Sequence, residues 1–210
     1  MSDPTLDAIP DPRSCRLHPL RLAQLKHYVE QLVRPSPADY DLLLGRVQEQ
    51  HYSRGTYMFE AGELCRHVFF ITRGIARHFY RDGTTEGTTW FSLPGDVMTE
   101  PVTFLGLAPT PSVCSLIAAT DVHAFQISRQ HLTELYEYSP TWERFGRLVG
   151  EQYLLELSKR ALSFQFKSAR QRYDELLLTQ PTLFKHVPLV QIASYLGMAP
   201  ETLSRLRAER

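Results

Sequence analysis

Cysteine is scarce in this chain: Cys15, Cys65 and Cys114 are the only three in 210 residues. Their odd number argues against a disulfide framework, and their wide separation against a local zinc or iron–sulfur motif. Cys65 and Cys114 read as small apolar core residues, which suits a reducing cytoplasm. Net charge is also lacking, because 23 basic side chains balance 23 acidic ones. This balance argues against a basic protein that coats nucleic acid indiscriminately. No apolar run is long enough to span a bilayer, and the N-terminus lacks the basic-then-apolar layout of a secretory signal. The expectation is a cytoplasmic protein without a membrane partner, with room for one large core or two small ones.

Charge is unevenly placed. From Ala161 onward, Lys167, Arg170, Arg172, Lys185, Arg205, Arg207 and Arg210 outnumber Asp174, Glu175, Glu201 and Glu209. A positive tail on a near-neutral body is suited to approaching phosphates.

Residues 1–19, rich in proline, read as a loose leader. Leu22, Leu25 and Val29 then recur at helical spacing, predicting a helix over 20–32. Arg34-Pro35 ends it, because the residue before proline is pushed out of the helical region. Ser36 makes an N-cap with Pro37 at the first helical position. The second helix is predicted to run to about Gln50, burying Tyr40, Leu43, Leu44 and Val47.

From His51 the period changes. Strands are predicted at 56–59, 67–72, 75–80, 86–92, 113–118 and 123–127, punctuated by glycines and an Asp82-Gly83 hairpin turn. This pattern indicates a rolled or closed antiparallel β domain, with a sandwich and a cupin-like barrel as alternatives.

Beyond Ser128 the chain turns helical. A short helix stops at Ser139-Pro140, and a longer one follows from Thr141 to about Ser163. On the longer helix Phe145, Leu148, Gln152, Leu155 and Leu162 fall near one heptad stripe, together with Lys159. That stripe suits a two-stranded dimer seam; the alternative is a helix packed on its own barrel. Gly146 and Gly150 allow close helix approach.

The last segment carries the sharpest signal. Ile192, Ala193 and Leu196 face inward on one helix, Gly197 stands at the turn, and Leu203 and Leu206 anchor a second helix that begins at Pro200. Glu201, Thr202, Ser204, Arg205 and Arg207 are left facing solvent, with Arg210 beyond them. Arg205 can donate two hydrogen bonds to one guanine, and Glu201 can accept one from cytosine. Thr202 and Ser204 suit a base edge or phosphate, while Arg207 and Arg210 suit phosphates. These residues read as a helix-turn-helix that contacts DNA.

Ile192-Ala193-Ser194-Tyr195-Leu196-Gly197 followed by Pro200-Glu201-Thr202-Leu203-Ser204-Arg205 resembles the Crp/Fnr family of bacterial transcription regulators, in particular the type common in Bacteroidetes. The resemblance spans about 36–210. It implies an α+β fold: an N-terminal antiparallel, jelly-roll-like β-roll of the cyclic-nucleotide-binding type with flanking helices over 20–140, a dimerisation helix over 141–164, and a helix-turn-helix domain of the winged-helix type over 165–210. The short 179–188 segment leaves space only for a reduced wing.

Members that bind a cyclic nucleotide have a glycine, then a glutamate for the ribose, and later an arginine followed by serine or threonine for the phosphate. The corresponding residues here are Gly95 and Asp96, then Pro111 and Ser112. Pro111 supplies neither charge nor N–H, so control by cAMP is not expected. Glu100 and Arg77 are further candidates for pocket polarity, with a helix-terminal charge and an outward strand residue as their plainer readings. Phe69, Phe79, Tyr80, Trp90, Phe91 and Phe104 suit either a pocket or the barrel core. His67, His78 and Cys65 lack the spacing of haem ligands, and no metal or cofactor is predicted.

An H-x-H metal pattern, a phosphate loop and a nucleophile elbow are all missing, which argues against a cupin-like enzyme. A sensor acting only through protein contacts is the other alternative. The predicted partners are a second copy of the chain, near-palindromic double-stranded DNA with half-sites about 34 Å apart, and RNA polymerase. An effector is either absent or unidentified from sequence.

Overall fold

In the computed structural model, which describes residues 17–104 and 111–209, the chain opens with two short helices. Helix α1 (Pro19–Leu32) buries Leu25 and Val29 on one side. Ser36 caps α2 (Pro37–Leu44): its hydroxyl accepts from the Asp39 N–H at 3.1 Å, and the Asp39 carboxylate accepts from the Ser36 N–H at 2.8 Å. Two orphan amides are thereby satisfied reciprocally.

Helix α2 stops at Leu44 rather than near Gln50. The polar Gln48-Glu49-Gln50 run belongs instead to β1 (Gln48–Tyr52), an edge strand paired through Gln48 and Gln126 with a strand far along the chain. Edge strands tolerate such polar sequence because one side meets water.

The strands that follow are β2 (Tyr57–Phe59), β3 (His67–Arg73), β4 (Ala76–Asp82), β5 (Thr85–Ser92) and β6 (Val97–Met98). After the single-turn α3 (Pro101–Phe104) come β7 (Cys114–Ala118) and β8 (Val122–Ser128). They form two four-stranded antiparallel sheets, β1-β8-β3-β6 and β2-β7-β4-β5. Phe69, Ile71, Met98, Leu116 and Ala124 pack between the sheets. On β3 and β8 the intervening residues Phe70, Phe125 and Ile127 face away and meet Leu25, Val29, Leu43, Leu135 and Trp142 of the helices. Period-two alternation thus builds two cores, one inside the roll and one outside it.

Ser128 caps α4 (Arg129–Tyr138), its hydroxyl accepting from the His131 N–H at 3.1 Å. Helix α5 (Pro140–Phe166) runs for 27 residues. Its first turn is tied down by Trp142, which is 1% exposed and donates its indole N–H to the Asp39 carbonyl at 3.0 Å.

The chain ends in α6 (Ala169–Thr179), α7 (Leu183–His186), α8 (Leu189–Leu196) and α9 (Pro200–Ala208). Among the described residues no strand lies beyond Ser128, so the reduced wing contributes none there. A third core holds Tyr173, Leu176, Leu183, Ile192, Leu196, Leu203 and Leu206 together with Ile75 and Phe91 from the roll. The terminal helices therefore share apolar burial with the β domain. No described helix is long and apolar enough to cross a membrane.

Candidate nucleic-acid interface and effector site

The terminal hairpin has the geometry that its sequence predicts. Ile192, Ala193 and Leu196 of α8 are buried against Leu203 and Leu206 of α9. Gly197 adopts the left-handed conformation at φ 64°, and the Met198 N–H reaches back to the Ala193 carbonyl at 3.0 Å. This is a Schellman-type ending. A Cβ at Gly197 would also lie 2.5 Å from Cε1 of Phe164, so a side chain there must displace that ring as well as strain the backbone.

On the outer face of α9, Glu201, Ser204, Arg205 and Arg207 are exposed and Thr202 is half-buried. Among the described residues neither Arg205 nor Arg207 has an ion-pair partner, whereas neighbouring Glu209 is paired with Arg170 at 3.0 Å. Arg210 lies outside the described residues. The arrangement leaves two guanidinium groups on a helix whose opposite side is locked into a core.

The turn between α8 and α9 is clamped from three directions. Arg160 of α5 donates to the Tyr195 carbonyl at 3.0 Å and stacks on the rings of Tyr195 and Phe164. Arg172 of α6 donates to the Leu196 carbonyl at 2.8 Å. Ser194 bonds strand β5, accepting from the Thr88 N–H at 2.9 Å and donating to the Glu86 carbonyl at 3.3 Å. None of these contacts is legible from local sequence, since each joins residues distant along the chain.

The proposed seam residues of α5 divide into two groups. Phe145 and Leu148 are half-buried against the chain's own outer core, and Phe145 stacks edge-on with Trp142 and Tyr28. The side-chain oxygen of Gln152 accepts from the Tyr28 hydroxyl at 3.3 Å. Leu155 and Leu162 are each 54% exposed, and Phe166, one helical turn beyond Leu162, is 77% exposed. The apolar stripe left uncovered therefore occupies the C-terminal half of the helix.

At the roll, Gly95 turns the chain at φ 99° and Asp96 serves that turn, its carboxylate accepting from the Leu93 N–H at 2.8 Å. Burial pushes the Asp96 carboxyl above its ordinary pKa. The carboxylate deepest in this region is Glu100, not Asp96: it is buried and accepts from the Thr103 N–H and hydroxyl at 2.8 and 2.7 Å. The Ser112 hydroxyl is closed on its own loop, donating to the Cys114 carbonyl and accepting from the Cys114 N–H.

Arg77 is placed away from this group. It is buried on the other face of β4, bonding Thr88 at 2.8 Å and Glu86 at 2.8 Å while stacking over Phe79. Strand alternation makes this unavoidable, because Ala76 and His78 take the opposite direction. Arg77 is thus a strut beside the Ser194 contact rather than a pocket group.

His78 is the inward-facing group that the sequence did not single out for the pocket. It is 8% exposed, with Nδ1 2.8 Å from the Thr89 hydroxyl. That hydroxyl donates to the His78 carbonyl, so it accepts from an Nδ1–H and leaves Nε2 as an acceptor. Nε2 has no partner among the described residues. Burial lowers the imidazole pKa, opposed in part by the nearby negative charge of Glu100. Glu100 likewise helps to raise the pKa values of Cys114 and Tyr153, after burial itself. His78, Glu100, Cys114 and Tyr153 therefore lie within one electrostatic neighbourhood. Among the described residues no three His, Cys, Asp or Glu side chains are grouped to hold a metal ion.

Residues 49–139, from β1 to the end of α4, match the family model of the cyclic nucleotide-binding domain. No curated protein matches the chain in sequence. Among solved structures, FixK2 from Bradyrhizobium japonicum is similar at 21% identity over 78% of this chain and 83% of its own, with a TM-score of 0.64. The c-di-GMP-responsive regulator CLP of Xanthomonas campestris aligns at 17% identity over 83% and 91%, also with a TM-score of 0.64. A regulator of the Crp/Fnr family from Eubacterium rectale aligns at 16% identity over 82% of each chain, again with a TM-score of 0.64. Residues 49–139 thus match the cyclic nucleotide-binding domain model, and the chain shares the fold of these regulators.

Proposed function

We propose that this protein is a sequence-specific DNA-binding transcription regulator that works as a homodimer. The observation that carries the reading is the outer face of α9, where Arg205 and Arg207 stand exposed, without ion-pair partners among the described residues, over buried Leu203 and Leu206. Inserted in a major groove, Arg205 reads a guanine edge and Glu201 a cytosine amine. Thr202 and Ser204 contact a base edge or phosphate, and Arg207 with Arg210 neutralises phosphates.

The functional units are 20–140 as a sensory roll, 141–164 as the dimerisation helix and 165–210 as the reading domain. Leu155 and Leu162 extend an apolar stripe that a second copy of α5 can cover. Two copies of α9 then enter successive major grooves of a near-palindromic operator, with half-sites about 34 Å apart. The outcome at a promoter follows from occlusion of RNA polymerase or contact with it.

Control by cAMP is not part of this reading. Pro111 offers no cation, and Arg77 is bonded to Glu86 and Thr88 on the other face of its strand. Any effector acts by binding two arrangements of the domains unequally. Arg160 and Phe164 give such a change a route, because they join α5 directly to the turn before α9.

Selection of duplexes from a random pool tests the proposal, with Arg205→Ala run in parallel at the same salt concentration. One near-palindromic consensus is expected, with discrimination relaxed at one position per half-site in the variant. No enriched sequence, or full discrimination by Arg205→Ala, overturns the assignment. Tight binding of cAMP or cGMP in calorimetry contradicts the argument from Pro111.

A further inference from the structure

Outside the roll, a cavity of about 260 Å³ lies between the outward face of β3 and β8 and helices α1, α4 and α5. We propose that it is a second ligand site, which takes one uncharged, mostly apolar molecule the size of a bicyclic aromatic.

Size comes first. An apolar cavity of roughly 150 Å³ is enough to hold benzene, so this one accommodates a fused second ring. Its walls are aliphatic and aromatic, with Val68, Phe70, Phe125 and Leu132 on one side and Phe145 and Val149 of α5 on the other. None of the lining residues is Asp, Glu, Lys, Arg or His. A charged ligand would therefore lose its water without gaining a counter-charge.

The polar atoms present narrow the class further. The lining includes the tyrosines Tyr28, Tyr136 and Tyr153. All three are protonated at neutral pH, and burial raises their pKa values further, that of Tyr136 to about 12. The Tyr28 hydroxyl is already bonded to Gln152. Among the described residues the hydroxyls of Tyr136 and Tyr153 make no hydrogen bond, so a ligand carrying one hydroxyl or N–H finds a partner. Such a lining, apolar with a few convergent polar groups, is the usual character of a small-molecule site.

Glycine shapes the wall formed by α5. A side chain at Gly146 would run into the Tyr136 ring, whereas a Cβ at Gly150 would meet nothing within 4 Å. Both glycines line the cavity, so an occupant rests on the backbone of the same helix that bears Leu155 and Leu162 on its exposed stripe. Its effect on DNA binding rests on the regulator reading; its occupancy does not.

The test uses the full chain without DNA, titrated with 2-naphthol and with 2-naphthoate, which share the ring system and differ in charge. The expected result is one saturable 2-naphthol site per chain, with 2-naphthoate at least about tenfold weaker. Gly150→Leu fills open space in a helix, where leucine is favoured over glycine, and weakens 2-naphthol at least about tenfold. Val68→Phe fills the cavity from the sheet side and gives the same loss. Thermal scans establish that each variant is folded, and the neutral-versus-charged contrast stands on the unsubstituted protein alone. Absence of saturable binding, equal binding of the two probes, or full binding in a folded filled variant overturns the proposal. Failure to select a DNA consensus leaves this result untouched.

Discussion

On α9 Arg205 and Arg207 stand in solvent with no ion-pair partner among the described residues, whereas at the roll Arg77, Glu100 and Ser112 are bonded to the protein itself. The difference separates two exposed cations from three roll groups that the protein itself already occupies. A phosphate approaching α9 has no ion pair among the described residues to displace at Arg205 or Arg207. One entering the roll would have to break existing bonds and would find Pro111 where an arginine is needed. The same contrast distinguishes the two cores near α5. The roll offers an acceptor at His78 Nε2, and the outer cavity offers hydroxyls on apolar walls.

The comparison breaks most severely at the turn. Gly197→Val places a branched side chain at positive φ and drives it toward Phe164. Denaturant unfolding should show a loss of about 3 kcal/mol, accompanied by loss of DNA binding. By contrast, Arg205→Ala should leave stability within about 0.5 kcal/mol, because that side chain has no partner to lose among the described residues. Its operator affinity should fall by about 1–3 kcal/mol, measured by titration at fixed salt.

Ser194→Ala sharpens the link between the two regions. It leaves the buried Thr88 N–H without its acceptor, at a cost of about 1–2 kcal/mol in unfolding experiments. If the melting transition does not move, the α8-to-β5 contact is not a structural bond in solution.

The smallest effect concerns acid. Burial holds the His78 imidazole below its ordinary pKa, so between the two values the unfolded chain binds more protons than the folded one. Stability from this group is complete above about pH 6.5 and is lost as pH falls through that value toward the lower folded pKa. His67 and His123 shift in the same direction, also through burial. His78→Gln should therefore reduce, without abolishing, the fall in stability between about pH 7 and pH 5, followed by denaturant midpoints.

How legible each region was depends on the range of its interactions. The helix-turn-helix is built from contacts a few residues apart, so the spacing of Ile192, Ala193, Gly197, Leu203 and Leu206 contained it almost whole. Ser36 and Ser128 likewise announced their helices through local capping. The main strands were visible as alternation, yet β1 was hidden because its partner lies in β8, and two-residue β6 carries no period of its own. The faces of β4 were harder still. Arg77 and His78 are neighbours in sequence, and only pairing with β5 and β7 decides which one turns into the roll. Glu100 outranks Asp96 as the buried carboxylate for a similar reason, since α3 folds Thr103 back onto it. The apolar stripe of α5 was legible as a heptad, but the burial of Phe145 on Tyr28 required knowing where α1 lies.

The most direct measurement of the central claim is hydroxyl-radical footprinting of the full chain on its selected duplex, with a scrambled duplex beside it. The account predicts two protected half-sites about one helical turn apart, weakened together by Arg205→Ala. Protection that is indifferent to sequence, or a single unpaired half-site, would contradict it.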